Sequence, residues 1–194
     1  MKKGEPLNII LLGDIAAGKA TQVAFLTKRY PLYALDMGKE LRNPRFREIG
    51  RYDKTAGRGI VSPTFVVRNI FKERIPSIPA SRGILFDGTP KMIGEAKLIR
   101  RLLKENGRNK VLFIYLSIPF SEMVKRSRVR WQSEKRPDDM KEGMKRRWTG
   151  YYQKHIYGKI IPYFSKHYPH KKISGMGTRE EVWKRLHAEI KKFL

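Results

Sequence analysis

The sequence predicts an α/β protein in which helices cover both faces of a parallel β-sheet. Three short apolar runs support this prediction, at residues 7–12, 84–86 and 111–116. Each run is continuous and does not alternate with polar residues, as is typical of strands buried on both faces. Segments with helical periodicity separate the runs, and repeated alternation of strand and helix indicates a parallel sheet.

The composition favours one globular domain, spanning residues 1–194. A chain of 194 residues with 40% hydrophobic content is long enough to bury a sizeable core. The absence of Cys excludes disulfides and Cys-based zinc sites. The sequence has neither an apolar run of membrane-spanning length nor the pattern of a signal peptide. We therefore expect a cytoplasmic protein that makes no membrane contact.

The net charge is unusually positive. The chain has 43 Lys and Arg against 18 Asp and Glu, which gives a formal charge of +25. The basic residues are spread along the whole chain and form no separate tail. This distribution is typical of a solvated basic surface, while non-specific nucleic-acid binding is the alternative that it leaves open.

A glycine-bounded loop follows the first apolar run. Gly13 and Gly18 enclose four residues, Lys19 comes next, and a helix-compatible segment begins at Thr21. Strand, loop, lysine and helix in this order are typical of a phosphate-binding P-loop. The hydroxyl expected directly after the lysine is displaced by one place, because Ala20 stands there. A plain strand–helix turn with a surface lysine is the alternative interpretation.

The second apolar run ends at an acidic residue, Asp87. In open α/β sheets, ligands bind beyond the carboxyl ends of the strands. A carboxylate there can hold Mg²⁺ through water. The alternative is that Asp87 only caps the turn before Gly88.

The remaining segments predict mainly helices. Asp36 is placed to cap one helix, and Thr178 with Glu181 forms a capping-box pattern for the last. Helices are also predicted over residues 64–74, 95–105 and the segment after Pro119, and a short strand at 171–173. A further helix, continuous or broken, is predicted over about 140–163, and its expected core-facing residues are Trp148, Tyr151, Tyr152, Ile156 and Ile160.

A basic segment follows the third apolar run. Arginines at 126, 128, 130 and 136 precede the acidic pair Asp138-Asp139, and Arg147 lies eight residues beyond that pair. Guanidinium groups bind phosphate oxygens through two hydrogen bonds and stabilise charge on a transferring phosphoryl group. This pattern favours phosphate chemistry, although a solvated basic face is the more common origin of such runs.

Taken together, these blocks resemble the adenylate kinase family of nucleoside monophosphate kinases, over residues 7–193. Lys19-Ala20-Thr21-Gln22 resembles the family's Lys-Gly-Thr-Gln, and Asp87-Gly88-Thr89-Pro90-Lys91 resembles its Asp-Gly-aromatic-Pro-Arg. Residues 36–42 resemble the block at the monophosphate site, and Arg130 with Arg136 resembles the short-lid form. The resemblance implies a three-layer P-loop NTPase fold with a five-stranded parallel sheet, a monophosphate-binding insertion at 36–72 and a short lid at 128–139.

The resemblance also implies roles for individual residues. The catalytic set would be Lys19, Asp87, Arg130, Arg136 and Arg147. ATP would contact Gly13, Ala16, Ala17, Gly18, Lys19, Ala20, Thr21, Arg130 and Gly177. The monophosphate would contact Met37, Gly38, Arg42, Val61, Gly88, Lys91, Glu95, Arg136 and Arg147. Phosphates and water would hold Mg²⁺, with Asp87 in its outer shell.

The implied reaction is transfer of the ATP γ-phosphoryl group to a nucleoside monophosphate, with AMP the leading acceptor and a monomer the expected state. Two alternatives remain from the sequence: a nucleotide- or RNA-binding protein of weak activity, and a kinase for another acceptor such as GMP, CMP or UMP.

Four positions depart from the family pattern on the acceptor side. Met37 stands where a Thr is common, Lys39 replaces an Asp, and Lys91 replaces an Arg. Glu95 stands where adenylate kinases carry a Gln that reads adenine. An ionised Glu only accepts hydrogen bonds, so it suits the N1–H and N2–H donors of guanine and repels adenine N1. The alternative is that Glu95 is a surface residue of its helix.

Overall fold

The computed structural model describes residues 4–46, 64–134 and 141–194. Its centre is a sheet of five parallel strands in the order β2-β3-β1-β4-β5. The strands are β1 Asn8–Gly13, β2 Leu32–Asp36, β3 Gly83–Asp87, β4 Val111–Ser117 and β5 His170–Ser174. The predicted parallel five-stranded sheet is confirmed.

Helices connect successive strands, as parallel pairing requires. In chain order they are α1 Lys19–Arg29, α2 Met37–Arg42, α3 Thr64–Ser77, α4 Ile93–Glu105, α5 Phe120–Glu134, α6 Lys141–Arg147, a π-helix Trp148–Ile160, α7 Ile161–His167 and α8 Arg179–Phe193. Within the described ranges, no helix combines the length and apolar character needed to cross a membrane.

The sheet register brings the functional ends of the strands together. Leu11 of β1 pairs with Asp87 of β3, and Asp87 in turn pairs with Asp36 of β2. Gly13 at the end of β1 pairs with Leu116 of β4. A Cβ atom at Gly13 would lie 2.6 Å from the Leu116 carbonyl oxygen, so only glycine permits this approach. The loop after β1 and the acid at the end of β3 therefore lie side by side at this edge of the sheet.

Two elements were not predicted from the sequence. In the strand β2 only Leu32 and Leu35 are buried and the other three residues are partly exposed, so it lacks a continuous buried apolar run. The segment predicted as a continuous or broken helix over about 140–163 contains thirteen residues of π-helix, a conformation that was not predicted. Of the face predicted to be buried, Tyr152, Ile156 and Ile160 are buried, and Trp148 is partly buried.

The predicted helix caps are confirmed. The Asp36 side chain accepts a hydrogen bond of 3.1 Å from the Lys39 backbone N–H. At the start of α8, Thr178 and Glu181 form a reciprocal capping box. Residues 128–134 of the predicted lid belong to α5. Val61, Arg136, Asp138 and Asp139 lie outside the described residues.

Candidate active site

The loop after β1 has the backbone geometry of an anion-binding turn. Ala16 and Gly18 both have positive φ, of 58° and 87°, and α1 begins directly afterwards at Lys19. Successive N–H groups in such a turn, followed by a helix N-terminus, form a concave site for phosphate. Gly18 has open space around it, with no atom within 4 Å of an added Cβ. The loop therefore faces a cleft.

Lys19 turns back onto the loop that precedes it. Its ammonium donates hydrogen bonds of 2.7 Å to the Gly13 carbonyl and 2.8 Å to the Asp14 carbonyl. Burial and, second, the charge of Arg147 lower the pKa of Lys19 to about 8, while Asp87 and Asp14 act in the opposite sense. The ammonium is thus buried close to another cation, so an anion bound in the cleft would stabilise its charged form.

The cleft itself has a volume of about 530 Å³ and an open mouth. It collects residues from the P-loop, the end of β3, α5 and the region of α6. Eleven of the predicted site residues line it: Ala16, Ala17, Gly18, Lys19, Ala20, Thr21, Asp87, Gly88, Lys91, Arg130 and Arg147.

Asp87 lines the cleft at the end of β3, the strand beside β1. Burial raises the pKa of its carboxyl group. The charge of Lys19 lowers that pKa, and the charge of the neighbouring Asp36 raises it. An oxygen donor in this position fits the predicted outer-shell contact to Mg²⁺, because hard cations prefer carboxylate and water oxygens. Among the described residues, no group of three His, Asp or Glu side chains forms a protein-only metal site. The donor set therefore fits an ion that arrives with phosphates.

The cleft contains two residues that the sequence reasoning did not assign to it, Arg126 and Tyr152. Arg126 is held by Glu122, one helical turn earlier, at 2.7 Å, and donates to the Gly175 carbonyl at 3.0 Å. The Glu–Arg spacing of four residues on a predicted helix was the available signal. Tyr152, predicted as a core aromatic, is buried and also donates to the Gly13 carbonyl at 3.2 Å.

Gly177, predicted to contact ATP, lies against Glu181 and is not among the described residues that line the cleft. It has a positive φ of 95°, and an added Cβ would meet the Glu181 carboxylate at 2.3 Å. The neighbouring Gly175 is the glycine that approaches the P-loop, since its Cβ would lie 3.0 Å from the Ala17 carbonyl oxygen.

The block predicted to bind the monophosphate forms α2. Met37 is buried, whereas Arg42 is exposed, with its guanidinium 3.4 Å from the place that a Cβ of Gly38 would occupy. Glu40 pairs with Arg74 of α3 at 2.8 Å and fixes α2 against that helix. The described wall of the cleft includes none of Met37, Gly38 or Arg42.

Glu95 is not a surface residue, so that alternative is wrong. It is 1% exposed in the first turn of α4, and its Oε2 accepts the backbone N–H groups of Lys91 at 2.9 Å and Met92 at 3.2 Å. Burial raises the pKa of its carboxyl group. The two backbone hydrogen bonds and the neighbouring Lys91 and Thr64 lower that pKa in part. Its second oxygen, Oε1, is buried and lacks a well-formed hydrogen bond among the described residues. The carboxylate is thus anchored by one oxygen.

Comparison with known proteins agrees with this geometry. The family model described as "Adenylate kinase" matches residues 11–168. The adenylate kinase of Maricaulis maris is 32% identical over 180 residues, covering 91% of this chain and 94% of that protein. The adenylate kinase of Thermus thermophilus is 29% identical over 185 residues, covering 94% and 96% of the two chains.

A third relative, the adenylate kinase of Phocaeicola vulgatus, is 26% identical over 189 residues, covering 96% of this chain and 99% of that protein. The family match spans most of the chain and includes the P-loop, Asp87 and the cleft arginines. The resemblance inferred from the motifs is therefore confirmed: the chain belongs to the adenylate kinase family of ATP-dependent nucleoside monophosphate kinases.

Proposed function

We propose that the protein transfers the γ-phosphoryl group of ATP to AMP and releases two molecules of ADP. The observation that carries the proposal is that the P-loop, Lys19, Asp87, Arg130 and Arg147 line the same cleft. The relatives named above as adenylate kinases support AMP as the acceptor.

The donor phosphates would lie along the P-loop. Positive φ values at Ala16 and Gly18 turn the backbone N–H groups of the loop outward, and α1 adds the partial positive charge of its N-terminus. Lys19 would leave the carbonyls of Gly13 and Asp14 and reach the terminal phosphate oxygens. The ammonium would then donate to a negatively charged phosphate oxygen in place of two neutral carbonyl oxygens, and this stronger interaction favours ATP binding.

The transfer itself needs positioning and charge neutralisation, with no covalent intermediate on the protein. An oxygen of the acceptor phosphate forms the new bond to the γ-phosphorus, and the bond to the oxygen bridging the β- and γ-phosphates breaks. Arg130 and Arg147, together with Arg136 by family resemblance, would neutralise the charge on the transferring group. Mg²⁺, bound by phosphates and water near Asp87, would supply further electrostatic stabilisation of the phosphates.

The acceptor would enter from the side of α2 and α4. By resemblance its phosphate contacts Arg42 and Lys91, and its base lies near Met37, Val61 and Glu95. Anchoring of Glu95 through Oε2 supports a fixed orientation for the other oxygen, Oε1. A monomeric state and a cytoplasmic location remain predictions.

The deciding experiment is a coupled assay of ADP release with ATP and Mg²⁺. AMP, GMP, CMP, UMP and dTMP are supplied in turn at equal concentration, and an ATP-only reaction measures background hydrolysis. We expect AMP to give the highest kcat/KM. Turnover with none of the five would contradict the kinase assignment, and a higher kcat/KM with GMP would overturn AMP as the acceptor.

A further inference from the structure

The second residue of the P-loop, Asp14, is a buried acid with three hydrogen bonds. It is 1% exposed. Its Oδ1 accepts the hydroxyls of Tyr115, at 2.5 Å, and Tyr157. Its Oδ2 accepts the backbone N–H of Ile118 at 2.8 Å. A buried carboxylate is costly unless its lone pairs are satisfied, and here both oxygens are.

The two tyrosines link the P-loop to different elements. Tyr115 is a buried residue of β4, the strand beside β1. Tyr157 belongs to the π-helix and is partly exposed. Its ring packs edge-on against the Tyr115 ring, with centroids 5.8 Å apart. Asp14 is therefore the point at which the π-helix is attached to the phosphate loop.

The π-helical conformation makes this attachment double. Tyr152 and Tyr157 are five residues apart, and they bond to consecutive loop residues, at the Gly13 carbonyl and the Asp14 carboxylate. Side chains five residues apart on an α-helix point about 140° away from each other. A π-helix, whose hydrogen bonds join residues five apart, brings them to nearly one side. Trp148 packs against both rings, at centroid distances of 6.3 and 5.7 Å.

The π-helix begins immediately after a cleft arginine. Arg147 is its N-terminal flanking residue, with helical φ and ψ of −64° and −43°. Arg147 lines the same cleft as the loop and acts electrostatically on Lys19. The connection from Asp14 through Tyr157 along the π-helix thus ends at a group proposed to act on the transferring phosphoryl.

The geometry points to Asp14 as a positioning residue, which with Tyr157 and Tyr152 holds the π-helix that follows Arg147 in register with the phosphate loop. This inference rests on the proposed function for the role of Arg147. Asp14 lies behind the loop and does not line the cleft in the described structure. It acts on the reaction through the placement of Arg147 relative to Lys19.

The test is the variant Tyr157→Phe, assayed in the wild-type background and in an Arg147→Lys background. Tyr157 is partly exposed, so removal of its hydroxyl should leave the protein folded. We expect kcat to fall about tenfold in the wild-type background, because small misplacements of catalytic groups are costly. The KM for ATP should change less than twofold, since the loop N–H groups remain. In the Arg147→Lys background the same substitution should change kcat less than twofold.

A control variant and a second test variant distinguish a positioning role from a general loss of folding stability. Tyr163→Phe, in α7 and packed on the ring of His167 at 4.6 Å, should leave kcat unchanged. Asp14→Asn removes one acceptor and also the negative charge that acts on Lys19, so its loss of kcat should be at least that of Tyr157→Phe and should be smaller in the Arg147→Lys background. An unchanged kcat in Tyr157→Phe, or an equal loss in both backgrounds, would overturn the inference.

Hydrogen exchange provides a readout that does not need turnover. ADP bound at the loop should protect backbone amides of residues 148–157 in the wild type, and this protection should be weaker in Asp14→Asn at saturating ADP. Equal protection in both proteins would contradict the coupling. This measurement needs only nucleotide binding. If the wild type proved to have no kinase activity, the proposed function would be rejected, but hydrogen exchange would still test the coupling between Asp14 and the π-helix.

Discussion

The ammonium of Lys19 and the hydroxyl of Tyr152 donate to the same acceptor, the Gly13 carbonyl oxygen, at 2.7 and 3.2 Å. One donor comes from the phosphate loop and the other from the π-helix that follows Arg147. When Lys19 moves to a phosphate, Tyr152 can keep that carbonyl hydrogen-bonded. The loop backbone therefore remains satisfied in the ATP-bound state proposed above.

Replacement of Lys19 by Met is expected to abolish activity and raise stability together. Loss of a charge-stabilising donor lowers kcat by about 100-fold or more. In the folded protein, burial and the nearby Arg147 lower the pKa of the Lys19 ammonium to about 8, from its ordinary value of 10.5. Between these pH values the unfolded chain binds more protons, so wild-type stability should rise with pH through this window, and the variant should lose that rise.

Thermal unfolding between pH 7 and 10 measures this prediction. At pH 7 the Tm of Lys19→Met should exceed that of the wild type. Lys28→Met, at an exposed position of the same helix, is the matched control and should change neither Tm nor activity appreciably. A lower Tm in Lys19→Met would show that the two carbonyl hydrogen bonds outweigh the burial of the charge.

Glu95→Gln should improve AMP as an acceptor. Adenine presents an acceptor at N1, which an ionised carboxylate repels and a protonated carboxyl or an amide can meet with a donor. Since burial raises the pKa of Glu95, the protonated form persists above the usual range of a glutamic acid. The wild-type KM for AMP should rise as pH increases through that pKa, and the variant should show a flatter profile and a lower KM.

Steady-state kinetics with AMP and GMP between pH 5 and 8 provide the measurement. Glu105→Gln, exposed at the far end of the same helix, is the matched control. If Glu95→Gln leaves the ranking of AMP and GMP and the pH profile unchanged, Glu95 acts only as the helix cap.

Asp87→Asn should raise the Mg²⁺ concentration required for half-maximal activity. The carboxylate lines the cleft together with the loop, and an amide attracts a water-bound cation less strongly. We expect kcat to fall by about one to two orders of magnitude, the scale of one lost electrostatic contact.

Titration of activity with Mg²⁺ at fixed ATP distinguishes this effect from a general loss of fold. Glu180→Gln, exposed in the first turn of α8, is the comparison variant. An unchanged Mg²⁺ requirement in Asp87→Asn would limit that residue to shaping the turn before Gly88.

The charge of +25 gives a prediction for nucleic acid. Binding to a mixed-sequence RNA should be measurable at low salt, should show no sequence preference, and should weaken steeply with salt, as counterion release dictates. Fluorescence anisotropy of a labelled RNA, recorded from about 20 to 300 mM NaCl, measures how the affinity depends on salt. Binding that survives the high-salt end, or that depends on sequence, would indicate a dedicated RNA site.

The sequence by itself determined the donor side of this protein. Continuous apolar runs predicted three of the buried strands, the glycine-bounded loop predicted the phosphate site, and the position of Asp87 after its strand placed that acid beside the loop. These inferences succeed because they depend on local patterns of burial and backbone geometry that neighbouring residues specify.

Other features were decided only by the tertiary structure. The strand β2 is defined by its pairing with β3, since its own residues lack a buried-strand pattern. Burial of Glu95 depends on packing around α4, and the amphipathic pattern alone did not predict it. The attachment of Asp14 to Tyr115 and Tyr157 joins residues 101 and 143 positions apart. Such contacts depend on how distant elements pack together, a relationship that no local run of residues encodes.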